Sequence, residues 1–107
     1  MLGEVILSTL ILMNRFDLDS LQLAEKLVEK SKVKVVLIQD AVYMALKSSD
    51  QAEKIGKIMD KGIKIHTLKG DVERRGAINH LLANVELIDY NQFIDLLFDE
   101  EQTVINI

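Results

Sequence analysis

Short β-branched runs alternate with amphipathic helical stretches along this chain, and that alternation restricts the fold more than any other feature. Val5-Ile6-Leu7 opens an apolar run that reads as a strand covered on both faces. Beyond it Leu21, Ala24 and Val28 recur at helical spacing, with Asp19 and Gln22 spaced as a capping box. Val33 to Ile38 is a second buried strand. Val42, Ala45 and Leu46 predict a short helix, and Ala52, Ile55, Ile58 and Met59 a further one closed by Gly62 in a left-handed cap. Ile63 to Leu68 forms the third strand, and Lys69-Gly70-Asp71 turns the chain into a short helix reaching Gly76. Ile78, Leu81 and Leu82 supply one apolar turn before a fourth strand, Val85 to Ile88. The last helix has the clearest signature: Asp89 and Gln92 repeat the capping-box spacing, and Tyr90, Phe93, Ile94, Leu97 and Phe98 mark its expected core face. The acidic turn Asp99-Glu100-Glu101 leads to a final short strand, Thr103 to Ile107.

Strands that alternate with helices need crossover connections, which imply a mostly parallel sheet with helices on both faces. The expected fold is therefore α/β: a three-layer α/β/α arrangement with five strands beginning near Val5, Val33, Ile63, Val85 and Thr103. The direction of the last strand stays open, because a short acidic turn permits either orientation. At 107 residues one core is expected, a single domain over 1–107. Apolar residues at 49% and charged residues at 28% exclude a disordered or collagen-like chain.

Zero cysteines forbid disulfides, thiolate metal sites and a persulfide carried on this polypeptide. Thirteen basic against seventeen acidic residues give a net charge of −4, which disfavours direct nucleic-acid binding. The apolar stretch Val5 to Met13, interrupted by Ser8 and Thr9, falls far short of the roughly 18 residues of a membrane span. It also lacks the basic flank and cleavage site of a signal peptide, so a cytoplasmic location and no membrane association are expected.

In open α/β sheets ligands sit outside the carboxyl ends of the strands, and the residues there are Gln39, Asp40, Lys69, Asp71 and Asp89. Asp40 and Asp89 each precede a helix, where capping explains a carboxylate as well as acid/base work does. His66, on the same side of its strand as Lys64, and His80 form no metal pair, so no metal and no cofactor is expected. No glycine-rich phosphate loop or Gly-x-Ser-x-Gly elbow is present. A phosphorelay receiver would want paired acids after the first strand, where Ser8, Thr9 and Asn14 stand. Asp71-Val72-Glu73-Arg74-Arg75-Gly76 reads either as a capped turn with two solvent-facing arginines or as an element whose Arg74 or Arg75 grips an acidic group on another subunit. Ile11, Leu12, Met13 and Phe16 likewise admit two readings: an apolar patch forming an interface, or a strand that runs on to Met13 with Phe16 folded into the core.

Three segments in order resemble one known family: Leu37-Ile38-Gln39-Asp40-Ala41-Val42-Tyr43-Met44-Ala45, Asp71 to Gly76, and Val85-Glu86-Leu87-Ile88-Asp89-Tyr90-Asn91-Gln92-Phe93. Together they look like the DsrH/TusB family, with Ala41 standing where the family often has Gly. The resemblance implies a DsrE-like fold and a small-subunit role in sulfur-relay assemblies with DsrE-like and DsrF-like partners and a TusA-like sulfur carrier. It further implies service in tRNA wobble-uridine 2-thiolation or in sulfur oxidation, with the persulfide cysteine on the DsrE-like partner. Some family members carry a cysteine of their own; this chain has none, which points to a non-catalytic subunit. Ile11, Leu12, Met13, Phe16, Gln39, Asp40, Asp71, Arg74, Arg75, Asp89 and Tyr90 are then the binding or interface candidates, and homo-oligomers are expected in isolation. The competing reading is a stand-alone small-molecule-binding domain or weak enzyme using Asp40, Asp71 and Asp89.

Overall fold

The computed structural model describes residues 8–99 and 102–107; the opening Val5-Ile6-Leu7 of the expected first strand lies outside them. Five strands form one sheet: β1 (Ser8–Met13), β2 (Lys32–Leu37), β3 (Lys64–Leu68), β4 (Glu86–Ile88) and β5 (Thr103–Asn106). Their spatial order is β4-β3-β2-β1-β5, and every neighbouring pair is parallel. The last strand, whose direction the sequence leaves open, therefore runs with the others beside β1.

Handedness explains where the helices lie. The steps β1 to β2, β2 to β3 and β3 to β4 all move the same way across the sheet, and right-handed crossovers put their connections on one face. Those connections are α1 (Leu18–Leu27), a 3-10 segment (Gln39–Ala45) followed by α2 (Ala52–Asp60), and α3 (Lys69–Arg74). Only the step from β4 back to β5 reverses direction, which lays α4 (Tyr90–Leu97) on the opposite face. The buried side chains divide accordingly. Ile11, Met13, Val35, Leu37 and Ile65 pack with Leu21, Ala24, Ile55, Ile58 and Val72 in the larger cluster. Leu10, Val36, Ile88 and Phe93 form the smaller one, with Leu12, Leu68, Leu96 and Leu97 against it.

Several local expectations change. The cap of α1 is Asp17, whose carboxylate accepts from the Asp19 N–H at 3.1 Å and the Ser20 hydroxyl at 3.0 Å; Asp19 lies inside the first turn. Asp40 and Asp71 are not caps either, since each lies within the first turn of its element, with Ile38 and Leu68 before them. The short helix expected after β2 is present as a 3-10 segment. Asp89 and Gln92 do form the reciprocal capping box, at 2.8 Å in both directions. Gly62 and Gly76 take φ of +93° and +63°, the left-handed conformation that suits glycine after a helix. On α4, only part of the expected core stripe is covered: Phe93 is buried, while Tyr90 and Phe98 are 64% and 75% exposed. Among the described residues no helix is long and apolar enough to cross a membrane.

Candidate functional site

The register brings the three family-like segments to one edge. Leu37 pairs with Thr67, and Thr67 with Leu87, so the chain leaves β2, β3 and β4 side by side at their carboxyl ends. The β3 connection goes to one face and the β4 connection to the other, which makes this the topological switch point of the sheet.

Gln39 turns the chain out of β2 with φ of +51°, a left-handed conformation that costs a non-glycine residue of order 1 kcal/mol or more. That bend aims its backbone N–H at Asp71, whose Oδ2 accepts it at 2.7 Å. Asp71 is 4% exposed in α3, and its other oxygen, Oδ1, accepts from Arg74. Arg75 donates to the Asp71 carbonyl at 3.1 Å and reaches across to Asp40 Oδ1 from Nη2 at 3.0 Å and from Nε at 3.3 Å. Its guanidinium also lies 5.9 Å from the Tyr43 ring centroid, within cation–π range. A buried carboxylate is tolerable only when its oxygens are paired, and here the pairing ties the segment after β2 to the segment after β3.

Asp40 and Asp71 thus meet through Arg75, whereas the Asp89 carboxylate caps its own helix. No hydrogen bond or ion pair joins Asp89 to the other two among the described residues. With both Asp71 oxygens engaged, the arrangement holds a loop in place rather than presenting a free base. Ile11 and Met13 are core side chains, because β1 runs on to Met13; Leu12 is half-buried against the smaller cluster, and Phe16 is 47% exposed. Arg74 is largely exposed and Arg75 mostly covered, each already paired within the chain.

Beside the charged side chains of Asp40 and Arg74, this edge presents aromatic groups to solvent. The chain has two tyrosines and three phenylalanines, and only Phe93 is buried. Phe16, Tyr43 and Tyr90 follow β1, β2 and β4 at the carboxyl edge, and Tyr90 packs edge-on against Phe93 at 6.4 Å. Tyr43 sits inside the first family-like segment, yet sequence alone does not single it out, since a lone Tyr in a helical pattern gives no sign of its exposure.

On the other face His66 is buried beside Glu86, with Nδ1 3.1 Å from Glu86 Oε2 but neither ring nitrogen hydrogen-bonded. Burial lowers its pKa below the usual imidazole value; Glu86 opposes that shift, and Lys34 and Lys64 add to it. Among the described residues no three His, Asp or Glu side chains are grouped to hold a metal ion.

Comparison with known proteins fits this arrangement. Residues 16–103, which contain all three segments, match the family model described as DsrH like protein. Protein TusB of Pectobacterium parmentieri is 35% identical over 68 residues, covering 64% of this chain and 68% of that protein. Protein TusB of Buchnera aphidicola subsp. Baizongia pistaciae is 31% identical over the same shares. Among solved structures, the ychN protein from E. coli superposes with a TM-score of 0.82 at 18% identity, covering 95% of this chain and 100% of that one. The protein MTH1491 from Methanobacterium thermoautotrophicum does so at 0.79 and 14% identity, covering 94% and 99%. At those identities the structures speak to the fold, a five-stranded parallel α/β sheet. The sequence matches carry the assignment further: this chain belongs to the DsrH/TusB family.

Proposed function

We propose that this chain is a non-catalytic subunit of a sulfur-relay complex, docking on DsrE-like and DsrF-like partners through the carboxyl edge of its sheet. The observation that carries the reading is the exposure of four of the five aromatic side chains, three of them at that edge. Aromatic groups are normally among the most buried, and protein interfaces are where exposed ones concentrate. The Asp40–Arg75–Asp71 network supports this use, because it fixes the backbone on which Tyr43 is displayed. The absent thiol sets the division of labour: the persulfide sits on the cysteine of the DsrE-like partner, a TusA-like carrier exchanges sulfur with the complex, and this chain is a structural part of it. Its pathway is tRNA wobble-uridine 2-thiolation or sulfur oxidation, in the cytoplasm.

Co-expression with DsrE-like and DsrF-like subunits, followed by size-exclusion chromatography with light scattering, tests the proposal. A stoichiometric complex is expected, and the Tyr43→Ser, Tyr90→Ser double variant should weaken it by at least about tenfold while its thermal melt stays near that of the unmodified chain. An unmodified chain that stays monomeric and ignores both partners would overturn the reading. So would intact-mass detection of a persulfide on this polypeptide.

A further inference from the structure

The edge opposite the aromatic groups carries a second feature, independent of the docking reading. One eight-residue helix, about 12 Å long and 10 Å wide, cannot cover five strands spaced about 4.8 Å apart, so among the described residues no helix covers part of the α4 face near the amino ends of the strands. Lys32 and Lys34 lie two apart on β2, hence on one face, and Lys64 is the direct cross-strand partner of Lys34. The ammonium groups of Lys32 and Lys64, on flexible stems, therefore each start within about 7 Å of that of Lys34, along and across the strands. None has a carboxylate within ion-pairing distance among the described residues, in contrast to Lys57, Lys61 and Lys69. Like charges placed directly across a ladder destabilise it, so folding alone gives no reason for this arrangement.

These three lysines line a cavity of about 700 Å³ together with Ser8, Ser31 and Asp99. The Ser31 hydroxyl is held at 2.9 Å from Thr9 Oγ1 and 3.2 Å from the Lys32 carbonyl. Among the described residues Asp99 is the single acid in the lining and makes an interaction of its own, so the described lining carries three cations and one anion. His66, two residues beyond Lys64 on the same face, is 5% exposed with both ring nitrogens lacking hydrogen-bond partners. The volume lies within the range of small-molecule sites and exceeds what a single inorganic ion fills. We infer that this cavity is an anion site that takes a small phosphorylated ligand, its phosphate groups held by Lys32, Lys34 and Lys64. Lysine suits that task because it binds phosphate as a mobile point charge and needs no planar partner.

Calorimetric titration of the full chain with sodium pyrophosphate at low ionic strength, with chloride at matched ionic strength as control, is the test. Saturable binding of one pyrophosphate per chain is expected, weakening with added salt. Lys34→Gln with Lys64→Gln should lower the affinity by at least about tenfold, whereas Lys54→Gln with Lys57→Gln on α2 should leave it unchanged. The first pair should melt no lower than the unmodified chain, because it removes a like-charge contact. In NMR titrations, bound pyrophosphate should raise the His66 midpoint by neutralising Lys34 and Lys64, with Glu86 unchanged beside it. No saturable binding at millimolar pyrophosphate, or equal losses in both lysine pairs, would overturn the inference. Tighter binding of a poly-glutamate peptide at the same lysines would also overturn it, making the surface a dock for acidic protein.

Discussion

One face of the sheet lies under α1, α2, α3 and the 3-10 segment, while among the described residues the other lies under α4 alone. The thick face is almost wholly apolar: Ile11, Met13, Val35, Leu37 and Ile65 are each at most 1% exposed. The thin face is apolar only where α4 reaches, around Leu10, Val36 and Ile88, and beyond it carries Lys32, Lys34, Lys64 and Glu86. Both faces belong to the same strands, so the difference comes from topology: three crossovers step one way and one steps back. Stability is thus concentrated on one side, which leaves the other side and the strand ends able to carry exposed aromatic and charged groups that a fully covered sheet would exclude.

The largest expected effect tests that imbalance directly. Leu21→Ala on the thick face should cost about 4 kcal/mol and Leu10→Ala under α4 about 2–3 kcal/mol, read from urea midpoints. Both side chains are fully buried, and the difference expected is in how far a single covering helix can settle into the space. Equal costs would break the comparison.

Asp71→Ala comes next, with a loss of about 1–3 kcal/mol, because it leaves the Gln39 N–H without its acceptor. Gln39→Gly in the same background should restore about 1 kcal/mol by relieving the left-handed φ. If the second substitution restores nothing, the bend is held by something other than the carboxylate.

Acid should act through the thin face. His66 has a folded pKa below its ordinary 6.5, so the unfolded chain binds more protons in that window. The histidine's contribution to stability is complete above about pH 6.5 and is lost as pH falls toward the lowered folded value. Denaturation curves from pH 7.5 down to 5 should therefore show a slope that His66→Asn reduces, and an unchanged slope would show that the imidazole is hydrated in the folded state. The smallest effect belongs to α4's outer side: Phe98→Ser should move the isolated chain's stability by no more than about 0.5 kcal/mol in thermal melts, since 75% of that residue is already in water.

Periodicity located the elements well. Three strands begin one residue from the expected Val33, Ile63 and Val85, and the last begins at Thr103. It did less well at boundaries set by single hydrogen bonds: Asp17 and Asp19 are equally good caps as residue types, and only the path of the chain into α1 selects the first. On α4 the periodic stripe was real, but periodicity cannot say how much of a stripe the partner surface covers. Phe93 faces the sheet, while Tyr90 and Phe98 extend past it. The site was half legible. Asp40, Asp71, Arg74 and Arg75 stood out by position and type, yet who pairs with whom depended on contacts across 35 residues of chain.

The sequence by itself determined what is local and what is compositional: where continuous β-branched runs and stripes of helical period alternate, hence a mostly parallel α/β sheet, and that no thiol can carry sulfur on this chain. The tertiary structure decided which face each helix covers, that Asp71 is buried and bridged, and that Lys34 stands against Lys64. The physical reason is range. A side-chain period is set by neighbours a few residues apart, whereas register and coverage are set by handed crossovers joining strands that lie tens of residues apart.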